Sequence, residues 1–229
     1  MKLFKKLIII FFLGLLVSSC KTTPVVKTVD FTVNMNSPQH TIGEVELQIE
    51  PLLGFGKIKK QNVIVLYFPK EDAVCLRYKY EFFTYNQFWD RRGRRIFINA
   101  LKEYNEDYEM RNLKRNSKKS QQKYGSVRGY LVWQQASFTV RAFANMDVDL
   151  GYGFKEKSPY FTVLQRDAEY IDAMTRDNSR TSQNITMYFT RAQAAELAEI
   201  FEQYINDSPD DYEEPPSSGK NDDIPRDIY

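Results

Sequence analysis

The chain has 229 residues with 32 basic and 30 acidic side chains, so its formal net charge is only +2, and 42% of its residues are hydrophobic. This near balance gives no electrostatic argument for a nucleic-acid partner. Because His40 is the only histidine, a histidine-rich metal site and a mechanism that needs paired histidines are excluded, and no metal or cofactor is expected.

The first twenty residues form a recognisable export signal. Lys2, Lys5 and Lys6 precede an apolar run over residues 7–17, and two serines then lead to Cys20. As a helix the apolar run rises only about 16 Å, roughly half of a bilayer core, so it is too short for a permanent span. The pattern predicts a cleavable secretory signal.

The end of this segment, Val-Ser-Ser-Cys at 17–20, resembles the lipobox of bacterial lipoproteins. The resemblance implies that residues 1–19 are a cleaved signal peptide and that Cys20 becomes an acylated N-terminus on a lipidated tether, 20–28. At least two acyl chains are needed for stable anchoring, so the modification would fix the chain to a membrane. Lys21 in the next position implies sorting to an outer membrane of the cell envelope, where one exists. The residues beyond 20 suggest no family that can be named.

Composition divides the rest of the chain into a single domain over 29–206 and an acidic tail over 207–229. The tail contains eight acidic and two basic residues among prolines and serines. Such a segment cannot bury enough apolar surface to offset its chain entropy, so the tail is predicted to be disordered. The domain has a normal size for one hydrophobic core.

The first half of the domain is predicted to consist of strands. Apolar and polar residues alternate over 29–35 and over 44–50, which is typical of strands with one buried face. Residues 63–68 are apolar on both faces and predict a central strand, which a short turn joins to an antiparallel strand over 74–82. His40 is predicted to be an exposed loop residue.

A helix over 88–113 is predicted next, because apolar residues recur there at spacings of three and four. Its apolar stripe consists of Phe97, Ala100, Leu101, Tyr104 and Tyr108. A polar, lysine-rich loop over 114–124 follows. Cys75 has no partner for a disulfide if Cys20 is acylated, and a lone cysteine is predicted to be a small buried apolar residue.

Strands resume over 127–133 and 138–150, and the glycines Gly151 and Gly153 indicate a turn before a further strand over 160–164. The strand over 138–150 has the clearest alternation in the chain. These elements complete the predicted sheet apart from its final strand.

Two aspartates near the end of that long strand resemble the beginning of a calcium loop. Asp147 and Asp149 have the spacing of the first ligands, but Ser158 stands where such a loop needs a bidentate carboxylate. No calcium site is therefore expected, and both aspartates are predicted on the solvated face of the strand.

The carboxyl end of the domain has the best local signature. A short apolar strand over 185–189 is followed by Thr190 and Gln193, which have the spacing of a capping box at a helix N-terminus. The helix that follows has an apolar face formed by Ala194, Leu197, Ala198, Phe201, Tyr204 and Ile205. The fold class is α+β: a mostly antiparallel sheet of about seven or eight strands, either barrel-like or sandwich-like, with one inserted helix and a C-terminal helix packed on the sheet.

The distribution of charge gives the one candidate binding site. Residues 91–128 contain twelve basic and four acidic side chains. We expect two clusters there to contact anionic phospholipid headgroups or an envelope polyanion, with the acidic tail screening them at low ionic strength. The residues are Arg91, Arg92, Arg94, Arg95, Lys114, Arg115, Lys118, Lys119 and Lys123. The alternative is a solvated helix end and loop.

Three classes of function stay open at this point. The first is a non-enzymatic envelope lipoprotein that acts by binding or scaffolding, with no protein partner identified. The second is a lipocalin-like carrier of an apolar ligand, which predicts a closed sheet around a void. The third is a carboxylate-based hydrolase, which predicts a cleft with two facing acids. No nucleophile elbow or phosphate loop is present, so no catalytic residue is assigned.

Overall fold

The computed structural model describes residues 31–50, 58–115, 120–135, 141–170 and 180–206. The predicted leader, the lipidated tether and the acidic tail lie outside these residues. None of the helices among them is both long enough and apolar enough to cross a membrane.

Within the described residues the chain forms two helices, α1 (Arg91–Glu109) and α2 (Arg191–Asn206), and ten strands. The strands are β1 (His40–Ile49), β2 (Lys59–Phe68), β3 (Ala73–Tyr80), β4 (Phe83–Trp89), β5 (Gly125–Gln135), β6 (Ala142–Lys155), β7 (Ser158–Gln165), β8 (Glu169–Tyr170), β9 (Arg180–Thr181) and β10 (Ile185–Phe189).

Eight of the strands form one closed antiparallel barrel in the order β1-β10-β7-β6-β5-β4-β3-β2. The barrel closes because β1 pairs with β2 on one side and with β10 on the other. β8 and β9 form a separate two-stranded sheet. The predicted α+β class, the antiparallel sheet of about eight strands and the two helices are confirmed, and of the two predicted sheet shapes the barrel is the observed one.

Both helices pack at one end of the barrel. Each helix begins one residue after a strand, α1 after β4 and α2 after β10, and these two strands run in the same direction. The helices and the interior strand faces share one hydrophobic core, in which the ring of Phe97 lies 5.1 Å from that of Phe201 and 5.4 Å from that of Phe161. Burying a side chain of this size stabilises the fold by about 1.5–3 kcal/mol. The interior is therefore filled by aromatic side chains at this end.

The capping box of α2 and the buried stripe of α1 agree with the sequence, but α1 begins later than predicted. The capping box is confirmed: the Gln193 amide N–H donates to the Thr190 hydroxyl over 3.3 Å, and the Thr190 N–H donates to the Gln193 side chain over 2.9 Å. The stripe of α1 is buried as predicted, apart from Tyr108, which is 37% exposed. The prediction that the helix begins at residue 88 is wrong, because Phe88 and Trp89 end β4 and the Asp90 carboxylate caps the helix by accepting from the Gly93 N–H.

The strand predicted over 74–82 is confirmed as β3 and pairs antiparallel with β2 as predicted, but its predicted end is wrong. The strand ends at Tyr80, and Glu81, with φ 51°, begins a turn into β4. β4 continues the antiparallel sheet back toward α1. Apolar residues on both sides of this turn obscured it in the sequence.

The strand predicted over 29–35 is absent from the part of it that the structure describes. Phe31, Val33 and Met35 do point to one side, but they pack on the outer face of the barrel against an apolar surface that includes Leu66 and Phe88. The barrel is closed, so it has no free edge to which a further strand could pair. The alternation therefore reflects packing and not a hydrogen-bonded ladder.

Gly151, Gly153 and His40 lie in strands, whereas the sequence predicted a turn for the glycines and a loop for the histidine. β6 continues through Gly151 and Gly153 to Lys155, and the turn follows at Glu156. A Cβ on Gly151 would lie 2.1 Å from the carbonyl oxygen of Ser120, so glycine is required there for close backbone approach and not for a turn. His40 is exposed as predicted, but it begins β1 and does not lie in a loop.

Candidate anion-binding surface

The first turns of α1 contain four arginines, and one of them is buried. Arg94 is 0% exposed, and its guanidinium donates to the Asp72 carboxylate over 2.7 Å. It also donates to the carbonyl oxygens of Asp72, Trp89 and Tyr204 over 2.8, 3.0 and 3.2 Å. Burial lowers the pKa of Arg94, and Asp72 opposes this effect. Arg94 is therefore a structural residue that joins the turn between β2 and β3, the end of β4, the start of α1 and the end of α2. It is not part of the exposed cationic set that the sequence predicted.

Asp72 holds a second arginine of the same turn. The Nε of Arg91 donates to Asp72 Oδ2 over 2.6 Å, and the Arg91 side chain is 33% exposed. Asp72 has φ 46° and ends a single 3-10 turn, Pro69–Glu71. This backbone places the carboxylate between the two guanidinium groups, so one aspartate pairs with two of the four arginines. Sequence reasoning missed Asp72 because no local pattern connects it with a helix nineteen residues further along.

The other two arginines face solvent. Arg92 and Arg95 are exposed, and neither forms an ion pair with any residue that the structure describes. Lys102 is exposed two turns further along the same side of the helix. We call Arg92, Arg95 and Lys102 the cationic face of α1.

The charges of α1 are arranged against its macrodipole. Its first turn contains no acidic residue and its last turn no basic one, whereas the favourable arrangement is the reverse. Each unfavourable charge in a terminal turn costs about 0.3–1 kcal/mol at low salt. Two guanidinium nitrogens here, Arg91 Nη2 and Arg94 Nε, are also buried without a hydrogen-bond partner among the described residues. This turn therefore has more cationic donors than acceptors.

The remaining predicted binding residues lie at the other end of α1. Lys114, Arg115 and Lys123 follow the helix, whose nineteen residues separate them from its first turn by about 27 Å. Lys118 and Lys119 lie outside the described residues. The basic residues that are close together in the sequence therefore lie in two separate regions, one at each end of α1.

Two of the three described cations of this second region have a side-chain partner, whereas none of the three on the cationic face of α1 has one among the described residues. Lys123 forms an ion pair with Asp107, and its Nζ lies 5.4 Å from the ring centre of Tyr124. The guanidinium of Arg115 lies 5.5 Å from the ring centre of Phe154. Asp107 neutralises one charge of this region and the ring of Phe154 holds a second cation in place, so the unpartnered cationic face of α1 is the stronger candidate for binding an external anion.

An open groove of about 600 Å³ adjoins the cationic face. It lies between α1 and α2, and its lining residues are Ile98, Leu101, Lys102, Asn105, Glu106, Glu109, Met110 and Ala198. The helices are antiparallel here, because Arg191 at the start of α2 pairs with Glu109 at the end of α1 over 2.7 Å. The groove is on the outer side of the helices and not in the barrel interior.

The two candidate calcium-loop aspartates have separate structural roles. Asp149 is only 2% exposed and is paired with Arg166 over 2.5 Å, so its prediction on the solvated face is wrong. Asp147 is 61% exposed in its side chain and pairs with Arg128 over 3.1 Å. Among the residues that the structure describes, no three metal-ligating side chains come together.

The thiol of Cys75 is buried as predicted. Its residue is 0% exposed on the outer face of β3, and its Sγ lies 3.9 Å from Asn86 Oδ1. Burial raises the pKa of the thiol well above its usual value, and the nearby Arg77 offsets this only in part. Cys75 is therefore held as an unreactive thiol and not as a nucleophile.

Comparison with known proteins gives one result. A family model described as "Uncharacterised Treponema protein" matches residues 17–205. No curated protein and no solved structure matches the chain.

Proposed function

The chain belongs to this family of uncharacterised Treponema proteins, and we propose that it is a lipid-anchored protein of the bacterial cell envelope. It acts by binding and not by catalysis, and its binding surface is the cationic face of α1. The partner is an anionic phospholipid headgroup or an envelope polyanion. The observation that carries the proposal is that Arg92 and Arg95 are exposed beside a positive helix end without a counter-ion among the described residues.

Anchoring rests on Cys20. The lipobox-like residues 17–20 support acylation of this cysteine, and the family match includes them. The eleven residues 20–30 span at most about 36–40 Å when extended, so the described domain can reach the bilayer that holds the anchor. Where the cell has an outer membrane, Lys21 favours that location.

The anchor is tested by mass spectrometry of the N-terminal peptide from protein purified from its native membrane. We expect cleavage before Cys20 and the added mass of at least two acyl chains. A Cys20→Ser variant should leave the membrane fraction. An intact leader or an unmodified Cys20 in the native protein contradicts this part of the proposal.

The binding part of the proposal is supported by the energetics of cations near charged membranes. A basic residue next to an anionic surface contributes about 1 kcal/mol, and two or three act together on the cationic face. Flotation of the non-acylated chain, beginning at residue 21, with neutral and with anionic vesicles tests it. We expect binding only to anionic vesicles and only at low salt. Equal binding to both kinds of vesicle contradicts it.

The carrier alternative has one observation in its favour and one against it. The sheet is closed, as a carrier of the lipocalin type requires. However, fully buried aromatic residues occupy the interior beneath the helices, among them Trp89, Phe97 and Phe161. A groove of about 600 Å³ beside α1 does offer space for a ligand, but it lies outside the barrel and opens to solvent. These observations support surface binding over transport of an enclosed ligand.

A further inference from the structure

We propose that the acidic segment 207–214 of the chain's own tail docks on Arg92 and Arg95 of α1. The inference rests on the proposed function, because both concern the cationic face of α1. It states that the tail segment occupies this face when no external anion is bound. The tail then competes with external anions for the two arginines.

The first support is the position from which the tail departs. The carbonyl of Tyr204, in the last turn of α2, accepts from the Arg94 guanidinium over 3.2 Å. The described chain ends at Asn206, two residues later. The tail therefore leaves the domain beside the first turn of α1, and not beside the second basic region at the other end of that helix.

The second support is charge complementarity. Residues 207–214 carry five acids, namely Asp207, Asp210, Asp211, Glu213 and Glu214. Opposite them, Arg92 and Arg95 have no ion-pair partner among the described residues, since the single carboxylate of Asp72 is already used by Arg91 and Arg94. The two buried guanidinium nitrogens without acceptors, Arg91 Nη2 and Arg94 Nε, mark the same turn as deficient in acceptors.

The third support is reach. Eight residues span at most about 26–29 Å when extended, whereas Arg92 and Arg95 are separated along the helix by only about 4.5 Å. Residues 207–214 can therefore contact both arginines without any change in the described fold. Because the two parts are joined, the local concentration of the tail acids at the arginines is high.

Zero-length carbodiimide cross-linking of the purified full-length chain tests the docking without any lipid. An Arg95→Lys variant keeps the positive charge and supplies a reactive amine. We expect residue 95 to be linked to the acids of 207–214 at low salt, and we expect the yield to fall several-fold at 0.5 M salt, where the screening length is about 4 Å. The Lys155–Glu50 ion pair, 2.7 Å apart, serves as an internal control for reactivity.

The same experiment shows whether the tail contacts the expected end of the barrel and whether the contact is made within one chain. Lys59 and Lys79, at the opposite end of the barrel, should give no link to the tail. In a mixture of isotopically labelled and unlabelled chains, the links from residue 95 should join segments of the same label. Links between labels indicate a second copy as the occupant and overturn the proposal. The absence of a tail link at residue 95, with the Lys155–Glu50 link present, also overturns it.

Vesicle binding separates this inference from the proposed function. Replacing the five acids by their amides should increase binding to anionic vesicles several-fold if both ideas hold. If the cross-link forms but anionic vesicles do not bind even to this variant, the docking stands and the proposed lipid binding fails. If vesicles bind but the variant binds no better and no cross-link forms, the docking fails and the proposed function stands.

Discussion

Asp72 and Arg94 form an ion pair in which the arginine is fully buried and the aspartate is partly buried, with Oδ1 and Nη2 2.7 Å apart across twenty-two residues of sequence. The pair connects the turn after β2 with the first turn of α1, and through Tyr204 it also connects α1 with the last turn of α2. It therefore fixes the part of the helix from which Arg92 and Arg95 project. The cationic face depends on this internal arginine for its position.

Removing the charge of Asp72 should destabilise the fold strongly. An Asp72→Asn variant retains a residue that tolerates the positive φ but leaves Arg94 buried without a carboxylate. Breaking a fully buried pair costs about 3–5 kcal/mol, and the partial exposure of Asp72 places the expected loss at the lower end of this range. Urea unfolding at neutral pH measures the loss, and Lys60→Ala, which breaks the exposed pair with Glu46, should cost no more than about 1 kcal/mol. Equal losses in the two variants would show that Arg94 does not depend on Asp72.

Reversing the charge of Arg92 should stabilise the protein while it removes a binding residue. An Arg92→Glu variant is made in the chain whose five acids at 207–214 are replaced by amides, so that tail docking does not contribute. It places an acid in the first turn of α1, where the helix dipole favours it, and we expect a gain of about 0.5 kcal/mol at low salt. Helix propensity does not account for such a gain, because Arg and Glu are similar in this respect. Thermal unfolding at low and high salt measures it, with Arg92→Ala as the intermediate case. A loss of stability on reversal would mean that Arg92 has a structural partner.

Gly151 should be intolerant of a side chain. A Gly151→Ala variant places its Cβ within about 2.5 Å of the backbone of Ser120 and Gln121, which cannot rotate away. We expect a loss of about 2–3 kcal/mol in urea unfolding. Gly153→Ala is the matched control in the same strand, because its Cβ would meet only the Tyr188 ring at 3.3 Å and the Thr162 methyl at 3.4 Å. A loss no larger than that of the control contradicts the close approach.

The stability of the barrel should fall at high pH through its buried tyrosines. Burial raises the pKa of Tyr85 from 10.0 to about 12, so its neutral form is favoured in the folded state. The resulting stability is fully present below about pH 10 and is lost as the pH rises toward 12. Unfolding free energies between pH 9 and 11 should therefore fall more steeply for the wild type than for Tyr85→Phe. Parallel profiles would show that Tyr85 is accessible in the folded chain.

Local patterns were sufficient to predict the two helices, most of the barrel strands and the fold class. Thr190 and Gln193 predicted the N-terminus of α2 correctly, because all the residues of a capping box lie within four positions of the sequence. The spacing of Phe97 and Tyr104 predicted the buried side of α1 correctly, because helical periodicity is a local property of the sequence. The closed order of the strands was beyond such patterns, since it depends on β1 pairing with β10 from the other end of the domain.

The candidate site was predicted only in part, and the reason is again separation in sequence. Charge counting identified the arginines of α1, but it could not show that Asp72 holds Arg91 and Arg94 and leaves Arg92 and Arg95 exposed. Likewise, Gly151 looked like a turn because its true neighbour, Ser120, lies thirty-one residues earlier. Contacts of this kind leave no local signature.

The central claim is that the cationic face of α1 binds anionic surfaces, and flotation of the non-acylated chain with anionic vesicles at low salt tests it most directly. With about 1 kcal/mol for each cation, Arg92→Ala combined with Arg95→Ala should lower the partition coefficient about 25-fold. Lys59→Ala combined with Lys79→Ala removes the same charge at the opposite end of the barrel and should lower it by much less. If both pairs reduce binding equally, net charge and not the cationic face is responsible, and the account is contradicted.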